Sequence, residues 1–243
     1  ASLLKKISQL QGNFWIRILY IHPDHFPLDI LPVIAQDKRL LPYFDIPFQS
    51  GSDKIIKSMN RIGNSASYIN LAKKIRHSLE KTNYKNIALR TTFLAGFPGE
   101  TDKDAKATED FLNQIKPDWS GTFTYSQEED TPASQMEKQI SSKIATKRAK
   151  NLEKLQGQIT SKALLKRSGQ TYQVLIEEVI EGGDGEGTGL AIGRAWFQAP
   201  EVDGAVVIRY DLDTTPTEKI LPGKVVSVQI VGSSGVDLTG DLV

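Results

Sequence analysis

The 243-residue chain contains no cysteine, which excludes disulfide bonds, thiolate metal sites and cysteine nucleophiles. Histidine is nearly as scarce, occurring only at His22, His25 and His77, so we expect no metal site built from histidines. No apolar run approaches the roughly 18 residues that a membrane-spanning helix needs. The absence of disulfides fits a cytosolic protein. We therefore expect a cytoplasmic protein without metal ligands and without membrane contact.

The first ten residues also lack the apolar core and the cleavage site of a signal peptide. Their pattern is that of an amphipathic helix, with Leu3, Leu4, Ile7 and Leu10 on one face. Because the chain begins within such a helix, we expect it to be part of a longer protein.

The formal net charge of +1 conceals two oppositely charged segments. Residues 1–167 carry 26 lysines and arginines against 17 acidic side chains, whereas residues 168–243 carry 4 against 12. A difference of this size predicts two domains that meet different partners.

The first segment alternates between short apolar runs and helical patterns. The apolar runs predict strands at residues 14–21, 43–48, 86–95 and 119–125. The helical patterns cover residues 27–36, 52–58, 67–82 and 102–115, with Ser52 or Asp53 and Thr101 as caps. Alternating strands and helices indicate parallel β/α units, and four strands do not close an eight-stranded barrel. Residues 1–137 are therefore expected to form a partial, open β/α barrel that lacks its first units.

Residues 138–167 are predicted to form one long helix. Its apolar stripe would consist of Ile140, Ile144, Leu152, Leu155 and Ile159, surrounded by lysines and arginines. Two interpretations remain open, a solvated linker helix docked on the barrel and a contact with nucleic acid.

Residues 168–243 have the pattern of a small all-β domain. Short β-rich runs lie at residues 173–180, 189–196, 205–210, 224–231 and 237–243. The glycine-rich run 182–189 is typical of a hairpin tip. Five strands in so short a segment predict a five-stranded β-barrel of OB-like type.

Polar groups follow the ends of the predicted parallel strands, where barrel active sites lie. After the third strand, Gly96 and Gly99 allow the backbone to approach a ligand, and Glu100 could accept hydrogen bonds from it. The helix that follows favours an anion at its N-terminus. A simple strand-to-helix turn is the alternative interpretation.

The other strand ends are similar. The run 49–53 (QSGSD) offers an amide, two hydroxyls and a carboxylate, which suit a ribose or a substrate carboxylate but also an ordinary helix cap. His22 ends the first strand and Tyr125 the fourth. Arg90 lies inside the third strand, where a charged side chain needs an anionic partner. A substrate carboxylate or Asp45 would serve.

Several separate motifs resemble, in order and spacing, the methylthiotransferase family of radical-SAM enzymes. They are residues 43–53 (YFDIPFQSGSD), 59–61 (MNR), 95–101 (AGFPGET), 125–126 (YS) and 131–133 (TPA). The C-terminal β-rich segment resembles the TRAM domain of that family, so the resemblance covers nearly the whole chain.

Two branches of the family compete. One modifies an adenosine of tRNA, and the other, the RimO type, methylthiolates an aspartate of small-subunit ribosomal protein twelve. Residues 193–194 (GR), 199–204 (APEVDG) and 128–131 (EEDT) resemble the second branch. A TRAM barrel that binds RNA should be basic, whereas residues 168–243 are acidic. We therefore expect a basic ribosomal protein as partner and no tRNA. A non-enzymatic binding protein on the same scaffold is a further alternative.

The resemblance implies S-adenosyl-L-methionine (SAM) and a [4Fe–4S] cluster bound by a CxxxCxxC motif. Since the chain has no cysteine, it should hold neither metal nor catalytic residues and should be inactive alone. The resemblance and the strand-end positions assign Gln49, Ser50 and Ser52 to the SAM mouth and Arg90 to the SAM carboxylate. The adjacent wall would consist of Gly96, Phe97, Pro98, Gly99 and Glu100, and the far rim of Tyr125.

Overall fold

Four parallel strands form a sheet in the N-terminal part of the chain. They are β1 (Ile16–Ile18), β2 (Leu40–Asp45), β3 (Ala88–Ala95) and β4 (Trp119–Thr124), and they lie side by side in chain order. The computed structural model describes residues 1–80, 86–181 and 187–243. The predicted open parallel sheet is confirmed, although β1 is only three residues long and β2 begins three residues earlier than predicted.

Six α-helices accompany the strands among the described residues. They are α1 (Ser2–Ser8), α2 (Leu31–Gln36), α3 (Asp53–Ser58), α4 (Ser65–Glu80), α5 (Asp102–Ile115) and α6 (Ser142–Leu165). The helix predicted at 27–36 begins instead as the 3₁₀ turn Leu28–Ile30. Residues 81 and 82 of the predicted fourth-helix pattern lie outside the described residues. None of the described helices is both long and apolar enough to cross a membrane.

The apolar face predicted for the first helix is only partly buried. Leu4 is buried, but Leu3 is 68% exposed and Leu10 is 58% exposed. Leu10 also lies beyond α1, which ends at Ser8. A seven-residue helix has room for only one buried turn.

The sheet has one face packed against helices and one inner face. Side chains from alternate positions of β2 and β3 join the helix core, including Phe44, Leu89 and Phe93. Paired residues of parallel strands project to the same side. The register Asp45↔Arg90 therefore puts both of these side chains on the inner face, opposite the helices.

Helix α6 packs through part of its predicted apolar stripe, since Leu152, Leu155 and Ile159 contact the core, and also through small residues that were not predicted. Its buried positions include Ala145, Ala149 and Leu152, whereas Ile144 is 44% exposed. A Cβ added to Gly96 would lie 2.3 Å from the Ala145 Cβ. The helix can approach the end of β3 this closely only because both residues are small.

A buried ion pair fixes the same contact. Arg148 Nη1 lies 2.9 Å from Glu100 Oε2, and the side chains are only 11% and 3% exposed. The Gly96 N–H also donates to this carboxylate, over 2.8 Å. Burial raises the pKa of Glu100, although the Gly96 hydrogen bond and Arg148 oppose it. The turn between β3 and α5 is thus held against α6 by charge as well as by packing.

The C-terminal part forms a closed five-stranded barrel, as predicted. Its strands are β5 (Thr171–Ile180), β6 (Thr188–Ala195), β7 (Val206–Asp211), β8 (Val225–Ser234) and β9 (Asp237–Leu242), in the order β5-β6-β7-β9-β8. Val174, Ile208 and Val228 are among its buried residues. Residues 182–186 of the predicted glycine-rich tip lie outside the described residues.

The chain divides into two compact units, residues 1–159 (the first unit) and 160–243 (the second unit). This division falls within α6, which the sequence analysis treated as a separate linker over residues 138–167. The limits predicted for the three segments, 1–137, 138–167 and 168–243, remain predictions.

Replacing Arg148 with Gln should lower the free energy of unfolding of the first unit by about 3–5 kcal/mol at pH 8, because a buried carboxylate loses its cation. The folded-state pKa of Glu100 would then lie further above its unfolded value. The loss of stability should be complete at pH values above the pKa of Glu100 in the folded variant. It should become smaller as the pH falls toward the pKa of Glu100 in the unfolded chain. Chemical denaturation at pH 8 and at pH 5 measures both effects.

The double variant E100Q/R148Q should recover part of the loss, since neither charge of this pair remains buried. The control is K106Q, which removes an exposed cation that pairs with Glu109 and Asp110. It should change stability by less than about 1 kcal/mol. Equal losses in R148Q and K106Q would show that the buried pair has no special role.

Candidate functional site

The ends of the four parallel strands meet at one edge of the first unit. Gln49 follows β2 and pairs with β3, where its N–H donates to Thr92 O over 2.8 Å and its carbonyl accepts from Leu94 N over 2.9 Å. Its φ of 70° is uncommon for a residue other than glycine. The two hydrogen bonds hold this conformation and keep the partly exposed Gln49 at the edge. Strained backbone of this kind is frequent at functional sites.

Ser50 and Ser52 are buried, and their hydroxyls bind other protein groups. Ser50 Oγ shares a 3.2 Å hydrogen bond with Thr108 Oγ1 and accepts one from Ser52 N over 3.1 Å. Ser52 Oγ donates to Asp104 Oδ1 over 2.7 Å. It makes no side-chain cap for α3, although it is the N-cap residue. The predicted contact of these hydroxyls with SAM remains a prediction, but the structure gives both hydroxyls to α5.

Asp104 joins these contacts to the start of α5. It forms a capping box with Thr101, as the predicted cap of this helix, and accepts from Lys54 over 3.0 Å. Burial alone would raise the pKa of Asp104, but hydrogen bonds from Thr101, Ser52 and Lys54 outweigh burial and hold it well below its ordinary value. The carboxylate therefore stays charged at neutral pH and locks the 49–53 loop onto α5.

Arg90 lies on the inner face of the sheet and pairs with Asp45. Its Nη1 is 3.4 Å from Asp45 Oδ1, and the two side chains are 13% and 12% exposed. Nearby on this face, the Arg17 guanidinium lies 4.9 Å from the centre of the Tyr43 ring. The sequence left a structural carboxylate and a substrate carboxylate open as partners of Arg90. The structure provides the structural carboxylate, Asp45, and does not test the contact with a substrate carboxylate.

The turn from Gly96 to Glu100 divides into an engaged part and an open part. The Glu100 carboxylate is occupied by Arg148 and Gly96, and the Gly99 N–H donates to Lys138 O over 2.9 Å. A Cβ on Gly99 would nevertheless meet no described atom within 4 Å. Open space therefore borders the backbone here, while the Glu100 side chain faces the protein.

Phe97 connects this turn to Tyr125 at the end of β4. Their rings meet edge to face with centroids 5.5 Å apart. The Tyr125 hydroxyl is buried and has no hydrogen-bond partner among the described residues. Since a buried hydroxyl without a partner is costly, this atom is suited to a ligand.

The structure also contains residues that sequence reasoning missed. Arg148 forms an ion pair with Glu100. The sequence signal for this pair would have been the position of Arg148 next to the small residues Ala145 and Ala149 of α6. Asp24, two residues after His22, accepts from Tyr68 Oη over 2.7 Å and from Gly63 N over 3.0 Å. These contacts connect the end of β1 to the loop before α4.

His22 accepts from Asp24 N through its Nδ1 over 3.2 Å, which is a structural cap. Burial and the nearby Arg61 lower the pKa of His22. Across the parts of the chain that the structure describes, no group of three or more His, Asp or Glu side chains could hold a metal ion.

Comparison with known proteins adds the family. Residues 169–243 match the TRAM domain family. The chain is 52% identical over 242 residues to the ribosomal protein uS12 methylthiotransferase RimO of Treponema denticola, covering 98% of this chain and 51% of that protein. It is 39% identical to the protein of the same name from Pseudothermotoga lettingae, covering 99% of this chain and 52% of that protein. The chain thus spans about half the length of the curated relatives it matches.

A solved structure supports the fold of the first part. Coproporphyrinogen III oxidase (HemN) of Escherichia coli, described as a radical-SAM enzyme, is similar with a TM-score of 0.51 and 16% identity. The similarity covers 65% of this chain and 36% of that one. It identifies the parallel sheet and its helices as part of the radical-SAM β/α barrel fold. Over nearly its whole length the chain is therefore similar to RimO methylthiotransferases, and its residues 169–243 match the TRAM domain family.

Proposed function

We propose that the chain is the C-terminal half of an enzyme that methylthiolates an aspartate of small-subunit ribosomal protein uS12. The observation that carries this proposal is the 52% identity to a RimO protein over nearly the whole chain, in both units. The acidic charge of residues 168–243 favours the same branch over the tRNA-modifying branch. A ribosomal target places the reaction in the cytoplasm.

The inner face and the strand ends of the first unit fit a SAM molecule in part. Arg90 offers a guanidinium for its carboxylate, Tyr125 a hydroxyl that has no partner among the described residues, and Gly99 a backbone bordered by open space. Gln49 would contribute its partly exposed amide. Ser50, Ser52 and Glu100 would act differently from their predicted roles, since their polar atoms bind within the protein and shape the site.

Bound SAM and a reduced iron–sulfur cluster would supply the radical chemistry of this family. The cluster needs thiolate ligands, and this chain has no cysteine. We infer that the ligands come from the other half of the full-length enzyme, and that the chain alone binds and orients but does not react.

The barrel would recognise the protein substrate by charge. Two of its four cations are already paired, Arg194 with Glu177 at 2.7 Å and Arg209 with Asp241 at 2.6 Å. Exposed carboxylates at Glu178, Glu201 and Glu218 remain without a cation among the described residues. Complementary charge of this kind raises association rates with a basic partner and selects against an acidic one.

Replacing Arg90 with Ala in the full-length enzyme should weaken SAM binding about tenfold or more, because the carboxylate loses a charged hydrogen-bond donor. Calorimetry with SAM measures the change. R209A is the matched control, since it removes an arginine from an exposed ion pair of the barrel and should leave SAM affinity unchanged.

The variant D45N separates a ligand role of Arg90 from a purely structural one. If Arg90 serves only Asp45, then D45N should weaken SAM binding as much as R90A does. If Arg90 binds the SAM carboxylate, D45N should retain or tighten binding. Unchanged affinity in R90A would remove the assignment.

Substrate recognition is tested with a basic uS12 peptide that spans the target aspartate, titrated into this chain. E178Q/E201Q/E218Q should weaken peptide binding several-fold, with a reduced dependence on salt. The control E80Q/D110N/E137Q removes the same charge from exposed positions of the first unit and should change little.

The tRNA alternative predicts a different pattern. It requires tighter binding of a tRNA anticodon stem-loop than of an unrelated hairpin of the same length, and loss of that preference when barrel residues are changed. That result, together with equal peptide affinities of the parent and of E178Q/E201Q/E218Q, would overturn the proposed function.

A further inference from the structure

Helix α6 carries a stripe of four exposed lysines within the first unit. Lys143, Lys147, Lys150 and Lys154 follow one another at intervals of four, three and four residues, which is one face of a helix. We call this set the lysine stripe. At 100° per residue it lies opposite Ala145, Ala149, Leu152 and Gln156, which are buried. Four positive charges therefore project from about 16 Å of helix, directly away from the core.

The stripe is largely unpaired among the described residues, although Lys147 lies close enough to Asp102 to help lower the pKa of that carboxyl group. Among the described residues, none of its lysines lies within ion-pair distance of a carboxylate, whereas Lys54 and Lys106 both do. Arg148 of the same helix also differs, since it binds Glu100 and Asp102. The only acidic residue of α6 is Glu153. Most of the charge of the stripe is thus available to a partner.

The residues beside the lysines indicate what kind of partner fits. Thr146, Asn151 and Gln158 share the exposed face and are small or uncharged hydrogen-bonding residues. Protein interfaces depend on buried apolar and aromatic anchors, and this face has none in its centre. Phosphate backbones are bound by lysines together with Thr, Asn and Gln side chains. The composition of the face therefore matches a phosphate backbone better than an acidic protein.

We propose that the lysine stripe of α6 binds the phosphate backbone of RNA without reading its sequence. The choice of RNA over DNA rests on the proposed function, because a small-subunit ribosomal protein is surrounded by RNA. The barrel would recognise the protein substrate, and the stripe would hold the RNA that accompanies it. Neither contact requires the other to be made first.

The experiment measures binding of an RNA duplex of arbitrary sequence to the 243-residue chain across a salt titration. The test variant is K143Q/K147Q/K150Q/K154Q, because glutamine keeps helix propensity while removing charge. The matched control K5Q/K6Q/K73Q/K74Q removes four exposed lysines from α1 and α4. Circular dichroism and thermal unfolding confirm that both variants stay folded.

The parent should bind with an affinity that falls steeply with salt. The stripe variant should lose at least about tenfold in affinity, and its logarithmic salt slope should shrink by about 3 to 4, close to 0.9 per lost phosphate contact. The control should keep most of the slope. Equal losses in both variants, or no RNA binding by the parent, would overturn the proposal.

Two further measurements distinguish RNA binding by the stripe from binding of an acidic polypeptide and from the proposed function of the barrel. Polyglutamate that displaces the RNA at equal charge concentration would show that the stripe prefers an acidic polypeptide, which also overturns the proposal. Binding of the uS12 peptide is measured on the same variants and should be unchanged. If the stripe variant loses RNA binding and keeps peptide binding, the result supports the role of the stripe independently of the proposed function. Failure of peptide binding with intact RNA binding bears only on the proposed function.

Discussion

The buried pair between Arg148 and Glu100 determines how the first unit is assembled around its strand ends. One carboxylate accepts from Arg148 and from the Gly96 N–H, while Arg148 also donates to the Glu100 carbonyl over 3.1 Å. A carboxylate this deeply buried is unfavourable unless it is paired and hydrogen-bonded. The chain meets that demand with a residue 48 positions later, on a different helix. The turn after β3 and the start of α6 are therefore held together by this buried pair.

Long-range partners of this kind mark the limit of prediction from sequence. The parallel sheet, the closed barrel and the cap at Thr101 follow from local periodicity and composition, and all three were predictable. The roles of Ser50 and Ser52 were not, because their partners Thr108 and Asp104 lie more than 50 residues away. A hydroxyl beside a strand end has the same local pattern whether it meets a ligand or another helix.

The same reasoning explains why two helix faces were only partly predictable. In α6 the large apolar residues correctly predict the contact at Leu152 but not the one at Ala145, because a helix that approaches a glycine as closely as Gly96 needs alanine at the contact. Alanine contributes little to an apolar pattern and much to close packing. The conformation of Gln49 is a third case, since its positive φ is imposed by hydrogen bonds to β3 and has no counterpart in residue type.

The positions of the charged side chains on α6 follow from these packing constraints. Once Ala145 faces Gly96, the helical repeat fixes every other position of α6 in the first unit. Arg148 then falls at the flank, where it reaches Glu100, and the four lysines fall on the far side. Turning the helix by one residue, about 100°, would break the pair with Glu100 and swing the lysines toward the packed side. The contact that secures the site is therefore also what keeps the lysine stripe exposed. A change that loosens Arg148 from Glu100 should disturb both, whereas a change to the lysines should disturb only the outer face.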